Sequence, residues 1–187
     1  MANEIEHDLD VIVFCTGHHL GTAFDCSKMV ITGRDGQSLH DKWFEEGIST
    51  LHGVMSSEVP NLFFSGPWQA STSANYPYML DQLATHVASI LSKVDKEVRS
   101  RSPGAPGFPR FTVEPKRVDE DAGALEVMLR ARGLASGELC TPSYMNMEGS
   151  IAQMDQEQAA KAARASIWGT GVKDFVNTLA KWREGTL

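Results

Sequence analysis

The sequence predicts an α+β chain, a small sheet of short strands packed with several helices. Two observations carry this: brief β-branched apolar runs stopped by turn residues fill the first third, and apolar residues spaced by three and four dominate the remaining two thirds. The 187 residues, 42% hydrophobic and 22% charged, are ordinary for a globular protein and long enough to bury a core.

Asp10 to Cys15 (DVIVFC) reads as a buried strand stopped at Thr16-Gly17. Met29 to Thr32 repeats the pattern, and the Asp35-Gly36 pair after it is a hairpin turn signal. Leu62 to Phe64, between Pro60-Asn61 and Gly66-Pro67, is a third short strand sharing the sheet. From Asn75 to Val98, Met79, Leu80, Leu83, Val87, Ile90, Leu91 and Val94 define one face of a long amphipathic helix, with Pro77 tolerated in its first turn. Ser100 to Pro109 holds three prolines and two glycines and reads as an extended connector. Residues 1–99 then form a first unit, 100–110 the connector, and 111–187 a helical region packing on the first unit. In that region Asp119 to Arg132, Asp155 to Trp168 and Val172 to Arg183 read as helices around an irregular loop from Gly133 to Gly149, and the last helix stripes Val172, Phe175, Val176, Leu179 and Trp182.

Composition excludes several classes. A net charge of −7, with no basic arm, argues against nucleic acid. No apolar run reaches the ~20 residues that span a bilayer, so no membrane is expected. The start MANEIEHDLD is acidic where a signal peptide is basic and then apolar, so a cytoplasmic protein is expected. Cys15, Cys26 and Cys140 lack disulfide or zinc spacing and are expected as reduced, small buried residues. No metal site is expected.

Several segments, in order, resemble the closing third of Baeyer–Villiger and other flavin-containing monooxygenases. DVIVFCTG resembles the strand and turn, usually ending Ala-Thr-Gly, that leads back to the FAD domain, with Cys15 in place of alanine. Gly36, Leu39 and Trp43, then Gly53, Val59-Pro60-Asn61-Leu62-Phe63 and Ser65-Gly66-Pro67, fit the family's following segments. Cys140 to Tyr144, Glu148-Gly149 and Trp168-Gly169 through Trp182-Arg183 are similar to a fungal branch. The resemblance makes the fold a remnant of an FAD and substrate domain. It also implies that the dinucleotide sites lie in sequence absent here: no GxGxxG occurs, so no bound cofactor is expected of this chain alone.

A pocket that once held an apolar ketone suits another apolar small molecule, as in a cofactor-independent cyclase or isomerase, including an intramolecular Diels–Alder pericyclase, of a natural-product pathway. The alternatives are the C-terminal subunit of a split FAD/NADPH monooxygenase, which would expose an apolar docking face, and a non-catalytic ligand-binding protein. The candidate catalytic donors are His18 and His19 after the Thr-Gly turn, Tyr76 and Tyr144. Trp68, Tyr78, Met145, Met147 and Trp168 are candidate substrate walls. For each, ordinary packing or turn exposure is the plainer alternative. His52 and His86 are weaker candidates, with His86 expected at the border of the long helix's apolar face. A homodimer is expected to cover apolar surface left by the missing half.

Overall fold

The computed structural model describes residues 7–15, 29–66, 68–101, 103, 107, 110–131 and 154–185. Among the described residues five α-helices succeed one another: α1 (Leu39–Glu46), α2 (Tyr76–Arg101), α3 (Arg117–Arg130), α4 (Gln156–Arg164) and α5 (Val172–Glu184). The described residues include no strand, which overturns the expected sheet; the pairing is limited to single bridges between Thr32 and Ser38 and between Leu51 and Met55.

The physical reason is a lack of ladder partners, since a β-branched run becomes a strand only against another backbone. Val11 to Phe14 are extended but 65–81% exposed. Leu62 to Phe64 make isolated loop bonds instead: Phe64 N donates to the Val54 carbonyl at 2.8 Å, and Asn61 N to that of Val113 at 2.9 Å. At Asp35-Gly36 the turn does form. Both residues have positive φ, 55° and 79°, as a tight hairpin requires, yet the arms extend only to the Thr32–Ser38 bridge.

Helix α1 starts at Ser38, whose Oγ accepts from Asp41 N at 3.4 Å, and ends at Gly47 with φ 85°. It buries Leu39 and, unexpectedly, Lys42. In α2 the expected stripe faces the core, and Met79, Leu83, His86 and Ile90 are its buried members. Helix α4 opens with a reciprocal cap, Asp155 bonding Gln158 N while the Gln158 side chain returns to Asp155 N. Helix α5 packs on α2 and α4 on α3. Phe175 and Leu179 of α5 meet Met79, Leu83 and Ile90, with Val54, Met55, Val113, Val127 and Trp168 completing the core.

Two buried polar knots fix the loops around this core. Lys42 Nζ lies 3.1 Å from Glu120 Oε2 and donates to the Ser57 carbonyl at 2.8 Å, while Glu120 accepts from both Ser56 and Ser57 hydroxyls and from Ser57 N. This ties α1, the 56–58 loop and α3 together. Gln69, fully buried at φ 58°, satisfies its whole amide: Oε1 accepts from Thr50 N and Oγ1, and Nε2 donates to the carbonyls of Ile48 and Arg164. Cys15, expected to be buried, is exposed.

Candidate functional site

Two of the residues singled out after Ser65, Tyr76 and Tyr78, lie in the first turn of α2. Tyr76 donates its hydroxyl to the Ser65 carbonyl at 2.9 Å, and Asn75 Oδ1 caps the helix by accepting from Tyr78 N at 3.2 Å. Both tyrosines are about two-fifths exposed, so their rings form a rim. Trp68, in the preceding loop, is half-buried, and its indole Nε1 is shielded from solvent without a hydrogen-bond partner among the described residues. The chain enters this region past Gly53, where a Cβ would stand 2.7 Å from that of Ala70 and 3.0 Å from the Trp68 carbonyl.

Trp168 adjoins this loop through the backbone but turns its ring elsewhere. Gln69 N donates to the Ser166 carbonyl and Trp168 N to that of Ala70, each at 3.0 Å. The indole is almost wholly buried, 5.4 Å from the Phe175 ring, with the Arg130 guanidinium 4.4 Å above it. Its Nε1 donates to Asp174 Oδ2 at 2.9 Å. Hydrogen bonds from Thr170 and then Trp168, helped by the Arg130 charge, hold the Asp174 carboxyl below the usual carboxylate range. Tyr76 and Tyr78 thus stand partly exposed in the first turn of α2, Trp68 is half-buried in the preceding loop, and Trp168 lies in the core. His18, His19, Tyr144, Met145 and Met147, like Pro67, Cys26 and Cys140, lie outside the described residues.

A cleft of about 540 Å³ is lined by Glu46, Arg117, Asp121, Ala124, Leu125, Met128 and Arg164. Its charges cancel in place. Arg117 binds Glu46 and lies 3.3 Å from Asp121 Oδ2, and Arg164 donates to Asp121 Oδ1 at 3.0 Å. The hydrogen bond to Glu46 and the surrounding carboxylates raise the Arg117 guanidinium's affinity for its proton.

Sequence reasoning missed the buried Lys42 and Glu120 and the pairing of His52 with His86, whose Nδ1 and Nε2 are 3.1 Å apart. Glu120 was findable, since it shares the buried face of α3 with Ala124 and Val127 at helical spacing, and a carboxylate there needs a partner. The histidine pair left no signal, because its members are 34 residues apart in a turn and a helix.

A flavin dinucleotide needs free backbone amides at a glycine turn or helix start. The sequence has no such fingerprint, and at the start of α2 the Tyr78 amide is already capped by Asn75 and the Asn75 amide by Ser73 Oγ. These residues do not make a dinucleotide cradle by themselves. Among the described residues no group of three or more metal-ligating side chains assembles, and no helix is long and apolar enough to cross a membrane.

No family model matches the chain. Among curated proteins, it is 38% identical over 188 residues to the chermesin D/asnovolin J monooxidase nvfH of Aspergillus novofumigatus, covering 98% of this chain and 28% of that protein. It is 39% identical to the FAD-binding monooxygenase ausC of Emericella nidulans, over 98% of this chain and 26% of the relative. A solved structure, the polycyclic ketone monooxygenase of Thermothelomyces thermophila, superposes with a TM-score of 0.82 at 30% identity, over all of this chain and 28% of that one. The chain spans little more than a quarter of the length of the relatives it matches. Along nearly its whole length the chain is therefore a homologue of the fungal FAD-binding monooxygenases of Baeyer–Villiger type, corresponding to about 28% of such a protein, consistent with a C-terminal segment.

Proposed function

We propose that this chain acts as the C-terminal portion of an FAD-dependent, Baeyer–Villiger-type monooxygenase unit, joined to dinucleotide-binding segments that it does not itself carry. The observation that supports this reading is the apolar run from Val11 to Phe14, which the described residues leave exposed, as they do Leu9, Met29 and Val30. Val11, Ile12, Val13 and Phe14 are consecutive, so an extended backbone presents apolar side chains on both faces. Such a segment suits the interior of a sheet covered on both sides, with partner strands supplied from outside the chain. A surface of this kind on a free-standing protein is costly to leave in water.

The polycyclic ketone monooxygenase shares the fold, and its name supplies the substrate class, a polycyclic ketone. Trp68, on the loop that bonds to the Trp168 segment, and Tyr76 and Tyr78, at the start of α2, would offer apolar walls for it. The role of the cofactor, when bound to the complete unit, is to supply the oxygen-transfer chemistry. This chain's share is to shape and desolvate the space beside it. The cofactor-free cyclase reading draws less support, because the Tyr76 hydroxyl and the Trp168 indole N–H are already engaged and the described cleft is lined by paired charges.

The test is co-expression with the part of the T. thermophila enzyme that precedes the matching segment. The expected result is a yellow complex that oxidises a polycyclic ketone at the expense of NADPH. A colourless chain that forms no complex, yet cyclises a polyene precursor without NADPH, would overturn the proposal and restore the cyclase.

A further inference from the structure

His86 of α2 is fully buried on the face that carries Met79, Leu83 and Ile90. His52 reaches it from the turn between Leu51 and Met55, where its own backbone is left-handed at φ 54°. One hydrogen bond joins His52 Nδ1 and His86 Nε2 at 3.1 Å. It needs a hydrogen on one nitrogen and a lone pair on the other, so it exists only while at least one of the two rings is neutral. Trp182 of α5 stands edge-on to both imidazoles, its ring centroid 5.5 Å from that of His52 and 5.0 Å from that of His86. Lys93 of α2 lies over the same indole at 5.3 Å and donates to the Arg183 carbonyl. Three elements, the turn, α2 and α5, meet at this one uncharged pair.

We propose that the His52–His86–Trp182 cluster is a proton-operated latch, holding α5 on α2 at neutral pH and releasing it under mild acid. Among the described residues the charged groups acting on the pair are both cations, Lys93 from α2 and Arg183 from α5, and the turn contributes only His52 itself. A proton arriving on either ring meets burial and positive charge. His86 Nδ1 has no acceptor among the described residues that would welcome it. Burial pushes the His52 imidazole down to about 4; burial, then His52, Arg183 and Lys93, push His86 down to about 3.

With α5 undocked, both rings regain ordinary imidazole behaviour near pH 6.5. Below that pH the undocked state takes up protons that the docked state refuses. Docking therefore weakens as pH falls from about 6.5 towards 4, by about tenfold per pH unit for each proton taken up. The movement has a path to the aromatic rim, because the same turn carries Gly53, which packs against the Trp68 carbonyl and Ala70.

Hydrogen exchange on the full chain between pH 7 and pH 4.5, corrected for intrinsic rates, tests this. The amides of α5 should lose protection by about tenfold per pH unit below 6.5 while those of α3 stay protected. The variant His86→Gln, which keeps a donor and an acceptor but cannot titrate, should remove that ring's share of the dependence and leave only the share of His52. Unchanged α5 protection, or an identical fall in the variant, would overturn the latch. Should the variant fail to fold, the imidazole proton resonances of the wild-type chain decide. Rings that titrate near 6.5 while α5 stays closed refute the proposal, and rings that titrate only as α5 opens support it.

Discussion

Glu120 and Lys42 form an ion pair 3.1 Å apart with side chains 0% and 2% exposed, bridging α3 to α1 through the core. Removing one partner strands the other's charge away from water. Glu120→Gln should lower stability by about 3–5 kcal/mol, measured by urea denaturation, whereas the double variant Lys42→Met with Glu120→Leu should cost less than either single change. A double variant costing the sum of the singles would show that the pair is not coupled.

Gln69→Leu should also destabilise, since it strips partners from Thr50 N and from the Ile48 and Arg164 carbonyls. Each buried group left unpaired costs about 1–3 kcal/mol, so a drop of at least about 2 kcal/mol in the denaturation free energy is expected. The loss should be felt across the chain, because Arg164 closes α4 while Ile48 lies just beyond α1.

Gly33 has no room for a side chain: a Cβ there would lie 2.2 Å from the Glu58 carbonyl oxygen, which also accepts from Arg34 N. Gly33→Ala must push the 58 loop away, at a cost of about 1–3 kcal/mol. Gly36→Ala meets nothing within 4 Å and suffers only its left-handed backbone, about 1–2 kcal/mol. Thermal melts of the two should rank Gly33→Ala as the less stable.

Charging the uncovered run separates assembly from folding. Ile12→Lys with Phe14→Lys should leave the melting temperature of the isolated chain nearly unchanged, since both side chains already stand in solvent. The same change should abolish capture by the dinucleotide-binding portion and reduce self-association in sedimentation velocity. Undiminished complex formation would place the docking surface elsewhere.

The helices were legible because a stripe at helical spacing is a local property. Met79, Leu83 and Ile90 place α2, and Phe175 and Leu179 place α5, within a few residues of the observed bounds. Helix α1 was not anticipated, although Ser38 and Asp41 carry a capping pattern, because its eight residues bury only Leu39 and Lys42. The strands failed for the converse reason. DVIVFC has strand chemistry, but a ladder is a relation between two backbones, and the described residues supply no second one. Of the candidate residues, Tyr76 and Tyr78 fall in the first turn of α2 and Trp68 in the loop before it, positions that follow from the sequence alone. The partnership of His52 with His86 depends on the fold alone, as does the burial of Trp168 beneath Arg130.

The backbone bonds that join Gln69 and Ala70 to Ser166 and Trp168, together with α2 lying along α5, interleave the two ends of the chain. A protease cut in the proline-rich stretch between α2 and α3 would sever the covalent link while leaving these contacts in place. The two pieces should co-elute and denature together, and neither should refold once separated. Early and late sequence thus make one cooperative body, in which a change near Trp168 is transmitted to the loop of Trp68 without passing through the connector.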